Sequence, residues 1–209
     1  HSPFVYTFIK KILNDKRHFA AYDQVETLRR QLLHDNTQLE LEDFGAGSAI
    51  NNSPRRPIAR IARNAAKPRK LSQLLFRIVH YYQPATIMEL GTSLGISSSY
   101  MALANPAARV ITGEGSKAVA GQAQKNFHQL ALQNIEQVTG NFDDTLPAIL
   151  QKTTAIDFFF FFFSGSRVSL CSRFVGASDV YKRQLPTPSY EINRTITAAN
   201  TFRMAAIES

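Results

Sequence analysis

The sequence predicts an α/β domain, a parallel sheet with helices on both faces and a helical extension ahead of it. Three observations carry this prediction. The apolar run Ile87-Met88-Glu89-Leu90 ends in a glycine turn, Gly91-Thr92-Ser93-Leu94-Gly95, and continues as a helix-compatible segment from Ile96. A second apolar run, Arg109-Val110-Ile111-Thr112-Gly113-Glu114, closes on a carboxylate. A third, Ile135–Thr139, follows after another helical stretch. Strands alternating with helices are the pattern of a parallel sheet, and 209 residues suffice for one such domain with a proper core.

Along the chain, Phe4–Leu13 places Phe4, Val5, Phe8, Ile9, Ile12 and Leu13 at helical spacing. Tyr22–Leu33 repeats the pattern with Val25, Leu28, Leu32 and Leu33. These two helices would pack on the core or cap its substrate side. Residues 50–70 are polar, basic and broken by Pro54, Pro57 and Pro68, so they read as a solvated helix face plus a linker. Leu71–Tyr82 is amphipathic through Leu74, Leu75, Ile78 and Val79, and Gln83-Pro84 leads into the first core strand. Ser97–Leu103 and Val119–Leu130 are the next helices. Thr145-Leu146-Pro147 is expected to begin a short helix, with proline at an early position where its missing N–H costs little. Ile156-Asp157-Phe158 begins a fourth strand. The expected organisation is an N-terminal extension and linker over 1–70, a nucleotide-type core over 71–163, and a tail over 164–209.

The glycine turn carries the chemistry. Gly91 and Gly95 permit backbone angles or a close approach that a Cβ would block. The helix that follows aims N-terminal amides at any ligand seated there. Glu114 ends the second strand about 20 residues on, where a Rossmann-type unit places its ribose-binding acid. The spacing is G-x-x-x-G, without the third glycine of a dinucleotide fingerprint and without the Lys-Ser or Lys-Thr of a phosphate loop. A nucleotide-like ligand lacking a pyrophosphate fits such a turn best.

These residues resemble motif I of class I S-adenosylmethionine-dependent methyltransferases, in the form common among O-methyltransferase-like members. Residues 1–48 are similar to a bacterial branch of that superfamily. The resemblance covers about three quarters of the chain and implies the Rossmann-like methyltransferase fold, with S-adenosyl-L-methionine as cofactor. It implies that Glu114 binds the ribose hydroxyls and that Gly91, Thr92, Ser93, Gly95 and Ser97 approach the methionine and ribose parts. Glu89 would hold the loop, Gly115 would follow the ribose acid, and Asn141, Phe142 and Asp143 would border adenine. It also implies methyl transfer to a small-molecule or other nucleophilic acceptor, most simply at oxygen. A second segment, Asp43-Phe44-Gly45-Ala46-Gly47-Ser48, also looks like motif I, but no strand ending in an acid follows it, so it is read as a turn near the substrate entrance.

Composition narrows the rest. The single Cys171 excludes an intrachain disulfide, and the five scattered histidines show no metal-ligand spacing, so no metal site is expected. No run is long enough to span a bilayer and no signal peptide is present, which makes the cytoplasm the expected compartment. The chain opens on His1 rather than Met, so its natural start is expected to lie upstream. The net charge of +8 at pH 7 draws on Arg55, Arg56, Arg60, Arg63, Lys67, Arg69 and Lys70. Such a patch can steer RNA or an acidic substrate. Aromatics are not interleaved with these bases, so a nucleic-acid partner stays open but unsupported.

The fourth strand is the anomaly. Phe158 to Phe163 is an uninterrupted phenylalanine run, tolerable only where both faces of the strand are covered. In the family resembled, this strand ends in an acid that acts as base or metal ligand. Here the equivalent places hold Phe162-Phe163 or Ser164-Gly165, and Asp157 sits at the wrong end, so no catalytic residue can be named. Residues 164–184 resemble a translated sequencing-adapter read-through behind a translated poly-T tract. The sheet is therefore expected to be incomplete after its fourth strand, with residues from about 159 to 184 foreign to the natural protein. Two other functions stay open. One is a catalytically inactive S-adenosylmethionine-binding or scaffold protein, favoured by the missing acid. The other is a nicotinamide-dependent oxidoreductase, disfavoured by the missing third glycine.

Overall fold

The computed structural model describes residues 3–41, 55–162 and 168–171, with 161–162 and 168–171 described by backbone alone. The Asp43–Ser48 turn, Ser164-Gly165 and the tail from 172 onward lie outside the described residues. Helix α1 (Pro3–Phe8) runs into a π-helical turn, Ile9–Leu13, and α2 spans Ala20–His34. A two-stranded ribbon pairs β1 (Gln38–Glu40) antiparallel with β2 (Arg55–Pro57). Helices α3 (Ile58–Ala65) and α4 (Arg69–Tyr82) follow. Then strands and helices alternate: β3 (Thr86–Leu90), α5 (Ile96–Ala104), β4 (Arg109–Glu114), α6 (Lys117–Gln129), β5 (Ile135–Thr139), α7 (Phe142–Lys152), β6 (Phe158–Phe162) and β7 (Val168–Cys171).

The main sheet has the order β5-β4-β3-β6-β7. The first four of these are parallel, with Ile87 opposite Val110 on one side and Phe158 on the other. The strand period of two sorts their side chains to opposite faces. Ile87, Val110, Phe158 and Phe160 meet the larger helical layer, which contributes Val25, Leu28, Leu75, Val79, Tyr100 and Met101 among others. Met88, Leu90 and Ile111 face α7 through Ile149, with Phe142, Leu146 and Phe159 packed beside them. The phenylalanine run is accommodated by this alternation: Phe158 and Phe160 are buried under the helices and Phe159 is half-buried on the other face.

Three expectations need correction. The helix over residues 58–65 is not merely a solvated face, because Ile58, Ala59, Ile61 and Ala62 form a buried stripe between the arginines, and Pro57 enters it in an extended conformation. Helix α7 begins at Phe142, not Thr145, since Asn141 caps it. Pro147 therefore lies inside the helix, where it removes one i to i−4 bond. The sheet also gains a fifth strand: β7 turns back antiparallel along β6, satisfying a ladder edge that would otherwise stay open.

The N-terminal extension is joined to the sheet layer by a polar relay as well as by apolar contact. The Tyr100 hydroxyl of α5 donates to Glu26 Oε1 of α2 at 2.9 Å, and Arg29 Nε donates to the same oxygen at 3.0 Å. Burial and the neighbouring carboxylate both push the Tyr100 phenol above its usual range. Tyr100→Phe should therefore lower the unfolding free energy by about 1.5–3 kcal/mol, the worth of a hydrogen bond to a charged group. Urea denaturation followed by circular dichroism would read it, and an unchanged midpoint would show that the relay carries no load.

Candidate functional site

Between β3 and β6 the chain order reverses: β3 connects through α5 to β4 on one side, while β6 arrives on the other. Open parallel sheets place ligands at the carboxyl ends of the strands beside such a reversal. The glycine turn lies there. Gly91, Ser93 and Gly95 all take positive φ, at 97°, 49° and 77°. The turn is stitched to β4 by the amides of Gly91 and Thr92, which both donate to Gly113 O at 2.9 Å.

Two carboxyl groups organise the turn. Glu89, on β3, is fully buried and accepts from the Ser97 and Ser98 hydroxyls of α5 and from Thr112 Oγ1 at 2.7 Å. Thr92 Oγ1 joins the cluster 2.7 Å from Thr112 Oγ1. Burial pushes the Glu89 carboxyl above its usual range, against the pull of the three hydroxyls. Glu114, at the end of β4, accepts from the Ser93 amide at 2.8 Å and the Ser116 amide at 3.1 Å. Burial raises its pKa too, opposed by backbone donors including Gly115.

Gly95 immediately precedes α5 as its N-cap, and the reason for glycine there is packing. A Cβ would meet the Phe127 ring of α6 at 2.4 Å, and φ is left-handed besides. At the end of β5, the Asn141 side chain accepts from the Asp143 amide at 3.1 Å and caps α7. The Phe142 ring lies over Gly113, where a Cβ would stand 3.1 Å from it, and Asp143 is exposed in the first turn of α7. Glu89, Gly91, Thr92, Ser93, Gly95, Ser97, Glu114 and Gly115 thus converge on one turn, while Asn141, Phe142 and Asp143 flank it from the neighbouring strand end.

Beside the turn lies a small cleft. One wall is the turn itself with Ile96 and Ser97; the other is Ala65, Ala66 and Lys67, where α3 meets α4. Sequence reasoning assigned Lys67 to a solvated basic stretch. Its side chain is half-buried, and that burial draws its ammonium below the usual lysine range. The clue available in sequence was only that Lys67-Pro68 separates two helical patterns. Asp157 lies at the opposite end of the sheet, where its carboxylate accepts from the amides of Ala85 and Thr86 at 2.9 Å each. Among the described residues, no group of His, Cys, Asp or Glu forms a metal site, and no helix is long and apolar enough to cross a membrane.

A parallel sheet with a glycine turn at the end of its first strand and an acid at the end of the next is the layout of the Rossmann-like α/β domains. Residues 83–164 match the family described as "Putative methyltransferase", a span running from the residue before Pro84 to just beyond β6. That span holds the glycine turn, Glu114 and Asn141. Among solved structures, the SAH-bound methyltransferase PaMTH1 of Podospora anserina is similar with a TM-score of 0.50 and 13% identity, over 77% of this chain and 58% of that one. An O-methyltransferase of Bacillus cereus in complex with SAH gives 0.49 and 20% identity over 76% and 59%. The Streptomyces achromogenes O-methyltransferase TomG, with SAM, gives 0.48 and 20% over 75% and 57%. The fold is the Rossmann-like methyltransferase fold, and the chain spans less than two thirds of each of these structures. No curated protein matches the sequence.

Two outcomes test the site as built. Gly95→Ala should destabilise the fold by about 1–3 kcal/mol, through overpacking against Phe127 and a strained φ. Adding Phe127→Leu should recover part of that loss, which thermal unfolding of the single and double variants would show. Glu89 has a pKa above its unfolded value, so its contribution to stability is complete below the ordinary carboxylate range and is lost as pH rises through the raised value. Glu89→Gln should remove that loss, flattening the dependence of the urea midpoint between mildly acidic and neutral pH.

Proposed function

We propose that this chain binds S-adenosylmethionine and, within the whole protein, serves methyl transfer to an oxygen or similar nucleophile of a small-molecule acceptor. The observation that carries this is the Glu114 carboxylate held at the end of β4 on the Ser93 amide of the glycine turn. A carboxylate has about four acceptor sites, so amide donors on one side leave capacity for the vicinal hydroxyls of a ribose. The donor set suits the cofactor. No lysine follows the turn to take a phosphate, and the adjoining cleft has apolar walls in Ala65, Ala66, Leu94 and Ile96 that match a thioether chain. The SAH-bound Podospora structure supports the same ligand.

The bound cofactor would supply a methyl group on a sulfonium, already activated for transfer. Glu114 would accept from the ribose hydroxyls as a charged acceptor. Gly91 and Ser93 would bring backbone close to the ligand, and Glu89 with Ser97, Ser98 and Thr112 would keep the turn in place. Asn141, Phe142 and Asp143 would border adenine, with Phe142 fixed against Gly113.

One observation favours a second reading, binding without catalysis. Strand β6 ends at Phe162 with no carboxylate, and Asp157 is committed to amides at the far end of the sheet. Methyl transfer to any acceptor would argue against it.

Calorimetric titration with S-adenosylhomocysteine tests the main reading. Binding should be measurable, and Glu114→Ala should weaken it about 10–100-fold, as expected for lost charge-assisted hydrogen bonds. Unchanged affinity in the variant would remove the ribose role from Glu114.

A further inference from the structure

We infer that Lys67 receives the carboxylate at the amino-acid end of the cofactor, and that Arg29 is the positioning residue that holds Lys67 at the glycine turn. This rests on the cofactor reading above. Glu114 meets the turn at the Ser93 amide and is not part of the cleft wall. A ligand whose ribose is held at Glu114 and whose chain follows the turn enters the cleft with whatever lies beyond its ribose. For S-adenosylmethionine that is the amino-acid end, which carries the molecule's only carboxylate. Of the described residues lining the cleft, Lys67 alone carries a charge. Its side chain is half-buried at the cleft wall opposite the glycine turn.

The support behind Lys67 is more elaborate than a linker requires. Arg29 Nη1 donates to Lys67 O at 2.7 Å across 38 residues of sequence, and Arg29 Nη2 donates to the buried Ser72 Oγ at 3.1 Å. Ser72 Oγ donates in turn to Lys67 O at 3.4 Å. The guanidinium is itself held by Glu26, its side chain only 11% exposed, and Glu26 is tied to Tyr100 of α5. Such buried charge pairs add little net stability. What this one accomplishes is geometric: it fixes the backbone of the cleft's cation to the helix that starts at the glycine turn.

The test compares two ligands by isothermal titration on the full chain: S-adenosylhomocysteine, and 5′-methylthioadenosine, which lacks the amino-acid part. Lys67→Met should weaken S-adenosylhomocysteine about 10–100-fold while leaving methylthioadenosine unchanged, and Lys67→Arg should keep most of the selectivity. Arg29→Met should lower the same selectivity even where folded protein is confirmed by its unfolding transition. Equal losses for both ligands in Lys67→Met, or no loss for either, would overturn the assignment. Wild-type chain that binds neither nucleoside would instead overturn the cofactor reading itself, and this inference with it.

Discussion

The glycine turn depends on a single buried carboxyl group. Glu89 points from β3 into the layer between sheet and helices, where an unpaired acid would be strongly disfavoured. Three hydroxyls, two from the first turn of α5 and one from β4, close around it. Because those donors come from two different elements, satisfying Glu89 fixes α5 and β4 relative to β3 in one step. The left-handed residues Gly91, Ser93 and Gly95 then have a defined path to follow, and the Ser93 amide reaches Glu114. The turn's shape follows from how its foundation is satisfied, and any ligand chemistry above it inherits that shape.

The N-terminal helices belong to the same construction. Val25, Leu28 and Leu32 of α2 share a core with Leu75 and Val79 of α4 and with Tyr100 and Met101 of α5. That packing places the junction of α3 and α4 opposite the turn and so makes a cleft out of what would be an open edge. His80, far from any metal-like setting, stacks with Phe76 at 5.7 Å and meets Phe19 edge-on at 5.0 Å, which makes it part of the aromatic packing between the extension and α4.

Strand β4 begins and ends where its apolar run does, since a strand buried on both faces needs a continuous apolar stretch. Glu89 and Glu114 stood out for the converse reason: a carboxyl in or at the end of such a stretch needs a partner. The burial of helix α3 was hidden because its four buried positions are interleaved with Arg60 and Arg63, which gave an eight-residue segment the look of a solvated helix face. Lys67 was hidden more completely. Nothing near it in sequence distinguishes it from the other bases of its stretch, and its placement comes from Arg29, a contact between segments far apart in the chain. The start of α7 was misplaced because Pro147 imitates a first-turn signal, whereas the cap that sets the start is Asn141.

Asp157 has a consequence for the order in which the molecule can assemble. Its carboxylate grips the amides of Ala85 and Thr86, at the beginning of the central strand, from 72 and 71 residues further along the chain. During synthesis, β3 would acquire β4 and then β5 on one flank while its other flank waits for the phenylalanine strand to emerge. Throughout that interval the middle of the future sheet is an open edge, the kind of surface on which unfinished chains pair with one another. The most aromatic segment of the protein is thus also the one that closes its most vulnerable seam, so that a chain interrupted ahead of Asp157 would carry the glycine turn on a half-sheet whose central strand has nothing along one side.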